Sequence, residues 1–111
     1  MLLVEFRGTA LPAVGPDHTA TMGTNAGEAD IVVPNGDSIE SRVAPHDGLV
    51  IIYIPTNLIV RMRVGPEGTE AVATDPAYPG PGLYHFRVRK DEIVSFYGSS
   101  GTETATICLA R

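Results

Sequence analysis

The fold is decided by the stretch from Asp30 to Val43, which reads DIVVPNGDSIESRV. Its first part, Asp30–Val33, is a short apolar run that meets the turn PNGD, and the Asn-Gly centre of this turn favours the positive φ angles of a hairpin. The run that follows, Ser38–Val43, alternates in polarity and places Ile39 and Val43 on one inward face. The stretch therefore predicts two short strands that are joined by a turn.

The same rhythm continues along the whole chain. Short runs rich in Val, Ile, Thr, Tyr and Phe are separated by Gly, Pro, Asn or Asp about every eight to twelve residues. Nowhere do apolar residues recur at helical spacing for long enough to predict a helix. The other predicted strands are Leu2–Arg7, Leu49–Ile54, Leu58–Val64, Ala71–Thr74, Leu83–Arg89, Ile93–Tyr97 and Ala105–Ala110. This pattern predicts one all-β domain over residues 1–111, an antiparallel, jelly-roll-like β-sandwich of about eight or nine short strands.

Three segments depart from simple alternation. The strand Leu49–Ile54 is apolar on both faces, which is typical of a central strand that is covered on both sides, either within the fold or at a subunit contact. The segment Asp75–Gly82 contains three prolines, and because proline lacks a backbone donor we expect no regular pairing there. Residues 8–30 are poor in large apolar side chains. They are interpreted as an arm or a pair of weak strands that order against a partner, or as a plain surface loop.

Composition limits the possible partners and the compartment. The chain has 8 basic and 13 acidic residues and a formal charge of −5. This balance argues against broad nucleic-acid binding and against an anionic membrane surface. No run is long enough to span a bilayer, and the N-terminal run is read as a strand and not as a signal peptide. The single cysteine, Cys108, is expected to be a buried thiol that packs as a small hydrophobe.

The residue pattern assembles no catalytic or metal chemistry. The three histidines, His18, His46 and His85, lie far apart without a His-x-His pair, so no metal site and no cofactor are predicted. No Gly-x-Ser-x-Gly elbow is present, and carboxylates such as Asp75 and Glu70 fall in turns where they are expected to be solvated. We therefore expect a protein that is not an enzyme.

Four arginines form the first candidate contact surface. Arg61 and Arg63 alternate on one predicted strand, and Arg87 and Arg89 on another. If the two strands are neighbours, they carry a basic stripe on an acidic body, and arginine is a residue type that interfaces favour. The alternative is a solvated sheet face that nearby acids neutralise.

A stiff loop is the second candidate contact. Prolines and glycines hold Tyr78 between rigid neighbours, Pro79 and Pro81 among them. A rigid aromatic residue of this kind can anchor an interface at a low entropic cost. A purely structural proline loop explains the same pattern.

The motifs named above resemble those of small accessory structural proteins of tailed bacteriophage particles. In such proteins a strand of the type Gly-Asp-Ser-Ile-x-Ser precedes an apolar strand that ends in proline. Here these are Ile31–Ser41 (IVVPNGDSIES) and Leu49–Ile54 followed by Pro55. The closing run Ala105–Arg111 and the Pro/Gly loop after Ala71–Asp75 are similar as well. The resemblance covers roughly residues 30–111, and the N-terminal part matches no such motif.

The resemblance implies a virion component that is made in the host cytoplasm. The expected role is a head decoration (cement) protein, a head-fibre base or a related attachment module. Its partner would be the major capsid protein or another virion protein, and a symmetric homo-oligomer, with a trimer favoured, is implied. The alternatives are a small cupin-like barrel with His85 and Tyr84 near a cavity, or a carbohydrate- or receptor-binding β module that exposes Tyr78 and Tyr97.

Overall fold

The computed structural model describes residues 18–99 and 101–110, and its regular elements are all β-strands. The strands are β1 His18–Thr21, β2 Asp30–Val33, β3 Ser38–Glu40, β4 Gly48–Ile54, β5 Ile59–Pro66, β6 Ala77–Pro79, β7 Gly82–Val88, β8 Glu92–Gly98 and β9 Glu103–Ala110. The predicted strand Leu2–Arg7 and residues 8–17 of the predicted arm lie outside the described residues. In the middle of that predicted arm, His18–Thr21 forms β1, which pairs with β9.

The strands form two antiparallel sheets. The five-stranded sheet has the order β1-β9-β4-β7, and β2 pairs with β9 beside β1. The four-stranded sheet has the order β3-β8-β5-β6. Most consecutive strands therefore cross from one sheet to the other, and from β2 to β9 the order is that of a jelly roll. The predicted all-β sandwich is confirmed.

The core lies between the two sheets and is mainly aliphatic. Alternate residues of β4, namely Val50, Ile52 and Ile54, are fully buried on its inner face. They face residues of the other sheet such as Met62 and Phe96, which belong to the same buried cluster. A strand places successive side chains on opposite faces, so the inward-facing side chains of the two sheets together form one core layer between them.

One inward residue of the sequence pattern is exposed in the structure. Strand β3 ends at Glu40, three residues before the predicted end, and Val43 is 38% exposed. The cause is Ser41, whose Oγ accepts a hydrogen bond from the Val94 amide at 3.0 Å and occupies the place of a backbone partner. The chain bulges away from β8 at Arg42 and Val43 and returns at Ala44, whose amide donates to the Glu92 carbonyl at 2.8 Å. Ala44 takes the buried position.

The segment between β5 and β7 also differs from its prediction. The predicted strand Ala71–Thr74 is a turn, whereas Ala77–Pro79, in the segment where no regular pairing was expected, is β6. Strand β6 pairs with β5 only, and Pro79 lies opposite Ile59. Proline is tolerated there because an edge strand needs backbone donors on one side only.

Candidate functional site

The outer faces of the two sheets differ in whether another segment of the chain lies over them, and this difference locates the candidate site. On the four-stranded sheet, Ile93 and Ser95 point outward, yet they are only 0% and 1% exposed. The segment 67–76 lies over them, and the Ala71 amide donates to Ser95 Oγ at 2.8 Å. Gly65 allows the close approach, since a Cβ at that position would stand 2.5 Å from Thr69 Oγ1. The part of this face around Ile93 and Ser95 is therefore covered by the protein's own chain, whereas Ile59 in the outward row of β5 is 37% exposed.

Two of the four candidate arginines hold this covering segment. The Arg63 guanidinium donates to the Asp75 carboxylate through Nε at 3.0 and 3.1 Å and through Nη2 at 2.7 Å. Arg61 Nη1 donates to the Asp75 carbonyl at 2.7 Å. The hydrogen bond from Arg63, supported by the Val72 amide, holds the pKa of Asp75 below its ordinary value although burial acts in the opposite direction. Asp75 is thus a buried partner and not the solvated turn residue that its sequence position predicts.

The other two arginines lie in the other sheet. Arg87 is on β7 and Arg89 follows that strand by one residue, whereas Arg61 and Arg63 are on β5. Since β5 and β7 belong to different sheets, the four arginines do not form a single stripe. Arg61 and Arg63 donate hydrogen bonds to Asp75, while the exposed side chains of Arg87 and Arg89 have no such partner among the described residues.

The outer face of the five-stranded sheet carries an exposed apolar group. Tyr53 on β4 and Leu83 on β7 are register partners, and they are 45% and 41% exposed. Val32 on β2 is 53% exposed on the same side of the sheet. Ile51 lies beside Tyr53 in the outward row of β4 and is buried. We call this set of four residues the apolar outer face.

Cys108 lies next to the apolar outer face. It is the register partner of Ile51 on one side and of Thr21 on the other, and it is half-buried instead of fully buried as expected. Burial raises the pKa of the Cys108 thiol above its ordinary value. The thiol therefore stays protonated at neutral pH, and a protonated thiol is a poor nucleophile. It packs as part of the sheet surface.

The predicted proline loop is anchored by its tyrosine. The ring of Tyr78 is half-buried and packs edge-on against Tyr84 and Phe86, with ring centroids 5.1 and 5.3 Å away. The Tyr84 hydroxyl donates to the carbonyl of Pro79. Pro79 and Pro81 are exposed. Tyr78 thus contributes to the packing between the sheets, and the loop presents its prolines to the solvent.

A separate cleft of about 390 Å³ lies at the end of β7. Its lining residues are Asp47, Arg87, Val88, Arg89 and Glu92.

Within the described ranges no three side chains of His, Cys, Asp and Glu are close enough to hold a metal ion. His85 is exposed on the outer side of β7 opposite Ile51, and His46 Nδ1 lies 2.7 Å from the carbonyl oxygen of Asp47. No helix in the described part of the chain is long and apolar enough to cross a membrane.

Sequence reasoning did not name Tyr53, Leu83 or Val32 as contact residues, although a signal for an apolar outer face was present. Leu49–Ile54 is apolar on both faces, and such a strand was expected to be covered on both sides, either within the fold or at a subunit contact. The structure places β4 between β9 and β7 and leaves Tyr53 of its outward row exposed.

Comparisons with protein-family models, with curated proteins and with solved structures find no match to this chain.

Proposed function

We propose that this chain is a non-enzymatic structural protein of a tailed bacteriophage particle, a decoration or cement protein that binds the capsid lattice. The apolar outer face is the attachment surface. The observation that carries the proposal is a contrast between the two sheets. The segment 67–76 covers Ile93 and Ser95 on one outer face. The other outer face leaves the register partners Tyr53 and Leu83 exposed, with Val32 exposed on the same side. Grouped apolar side chains on a protein surface mark interaction sites.

The fold is compatible with this role without selecting it. Jelly rolls occur in viral capsid proteins, in lectins and in cupins, and a fold by itself does not define a function. The resemblance of Ile31–Ser41 and Leu49–Ile54 to phage accessory proteins favours the virion among these classes. The partner is the major capsid protein or another virion protein, the proposed assembly is a symmetric homo-oligomer with a trimer favoured, and the location is the virion.

The proposal is tested first by the genes that neighbour this one, and then with capsids assembled from the major capsid protein encoded in the same genome. The purified chain is mixed with these capsids, and the bound fraction is measured by co-sedimentation. The double variant Tyr53→Ser/Leu83→Ser should weaken attachment at least about tenfold, since central apolar and aromatic anchors carry most binding energy. Val72→Ser is the matched control, because Val72 is 41% exposed on the covered side of the domain.

The outcomes separate clearly. Attachment of the wild type and of Val72→Ser, with loss in the double variant, supports the proposal. A chain that does not bind these capsids, or a gene with no capsid, portal or tail gene near it, would overturn the proposed role. Equal binding by all three proteins would show that the apolar outer face is not the attachment surface.

A further inference from the structure

The cleft at the end of β7 carries a pair of free cationic groups. Arg87 and Arg89 both line it, and both side chains are exposed. Neither guanidinium group makes an ion pair or a hydrogen bond with any residue that the structure describes. They differ in this respect from Arg61 and Arg63, which are bound to Asp75.

The two carboxylates in the cleft are directed toward the backbone instead of toward these arginines. Glu92 Oε1 accepts the Arg89 amide at 2.8 Å, and Asp47 Oδ1 accepts the Lys90 amide at 2.8 Å. Through these hydrogen bonds the two carboxylates stabilise the turn that follows β7. Both guanidinium groups therefore remain available to an external acceptor.

The backbone around the arginines is held in one conformation. The Glu92 amide donates to the Arg89 carbonyl at 3.0 Å, and the Asp91 amide donates to the Ala44 carbonyl at 2.8 Å. Asp91 adopts a φ of 72° at the tip of this turn. Because this backbone is already ordered before a ligand binds, the entropic cost of binding is lower.

We infer that this cleft is a binding site for the carboxylate groups of an extended acidic segment of a partner protein. Arginine binds carboxylates through two parallel hydrogen bonds, which gives both strength and orientation. Arg87 and Arg89 are two residues apart on extended chain, so their Cα atoms are separated by about 7 Å. Alternate residues of an extended peptide have the same spacing, and acidic side chains at such positions match both arginines.

This inference goes beyond the proposed function, and it is tested on the isolated chain without capsids. Peptide binding to the cleft can therefore succeed or fail independently of capsid attachment. The probe is the blocked peptide acetyl-Glu-Ser-Glu-Ser-Glu-amide, and binding is measured by isothermal titration calorimetry at low salt. The same peptide with Gln in place of Glu has the same length and no charge. Inorganic phosphate is a second probe for a general oxyanion site.

We expect the Glu peptide to bind the wild type, and the Gln peptide to bind at least about tenfold more weakly. The double variant Arg87→Gln/Arg89→Gln should lose binding of the Glu peptide by a similar factor. Arg42→Gln should bind as the wild type does, because Arg42 is an exposed arginine that does not line the cleft. Thermal unfolding of the double variant should match that of the wild type, since neither guanidinium has an internal partner.

Three results would overturn the inference. The first is that the wild type does not bind the Glu peptide at millimolar concentration. The second is equal binding of the Glu peptide by the wild type and the Arg87→Gln/Arg89→Gln variant. The third is binding of inorganic phosphate at least as tightly as the Glu peptide, which would assign the cleft to small oxyanions instead of acidic peptides.

Discussion

Arg63 and Asp75, which are 12 residues apart in sequence, form an ion pair in which Nε and Nη2 of the arginine both donate to the carboxylate. The pair fixes the segment 67–76 over the outer face of the four-stranded sheet. Arg63 is the exposed partner, with 48% of its side chain accessible against 9% for Asp75. Removing the guanidinium therefore leaves an acid without its main donor on a largely covered surface.

This geometry predicts an unequal response of the arginines to substitution. Arg63→Gln and Asp75→Ala should each lower the urea midpoint of unfolding, because each removes the contact that holds the covering segment. Arg87→Gln is the control and should leave the midpoint unchanged. In a double-mutant cycle, Arg63→Gln should add little in the Asp75→Ala background. Additive losses would show that the two side chains do not act as a pair.

The Arg63–Asp75 pair also predicts that the free energy of unfolding depends on pH. The pKa of Asp75 is lowered first by the hydrogen bond from Arg63 and then by the Val72 amide. A carboxyl whose folded pKa lies below its unfolded value contributes stability above the unfolded pKa, about 4, and loses it as the pH falls through the folded value. The difference in unfolding free energy between wild type and Asp75→Asn should therefore shrink from about pH 6 to about pH 3. A constant difference across this range would contradict the assignment.

The aromatic contacts predict which tyrosines stabilise the fold. Tyr78→Ala should lower the free energy of unfolding by about 2 kcal/mol or more, because its ring packs on Tyr84 and Phe86. Tyr53→Ala should cost less than about 1 kcal/mol, since Tyr53 is exposed on the apolar outer face. Chemical denaturation of the two variants measures both values. The reverse order would place Tyr78 at the surface as a contact residue.

Close backbone contact predicts a strong effect at Gly80. A Cβ there would overlap the Thr56 carbonyl oxygen and would stand 2.6 Å from Ile54 Cγ2. Gly80→Ala should therefore cost about 3 kcal/mol. Gly36→Ala is the control, because Gly36 has a φ of +75° and nothing within 4 Å of an added Cβ. It should cost only about 1 kcal/mol through backbone strain. Equal losses would show that the contact to Thr56 relaxes freely.

The strands that were predicted well are short apolar runs with turn residues on either side. Asp30–Val33 has the predicted bounds, and Leu49–Ile54 is one residue short of β4. In these stretches β-branched residues and the flanking turn residues are sufficient to predict the strand, because both act over a few neighbouring positions. The segment between β5 and β7 was predicted wrongly, since Asp75 stabilises a turn through Arg63 and β6 forms where prolines were expected to prevent pairing.

The sequence by itself determined that the chain forms short antiparallel strands around an aliphatic core, because side-chain alternation and turn residues act over a few neighbouring positions. Only the tertiary structure decided what the outward-facing residues contact. Arg63 and Arg87 look alike in the sequence, yet one is bound to Asp75 and the other lines an open cleft. That difference depends on which sheet each strand joins and on which loop folds back over it. Both are set by contacts between residues that are far apart in the chain.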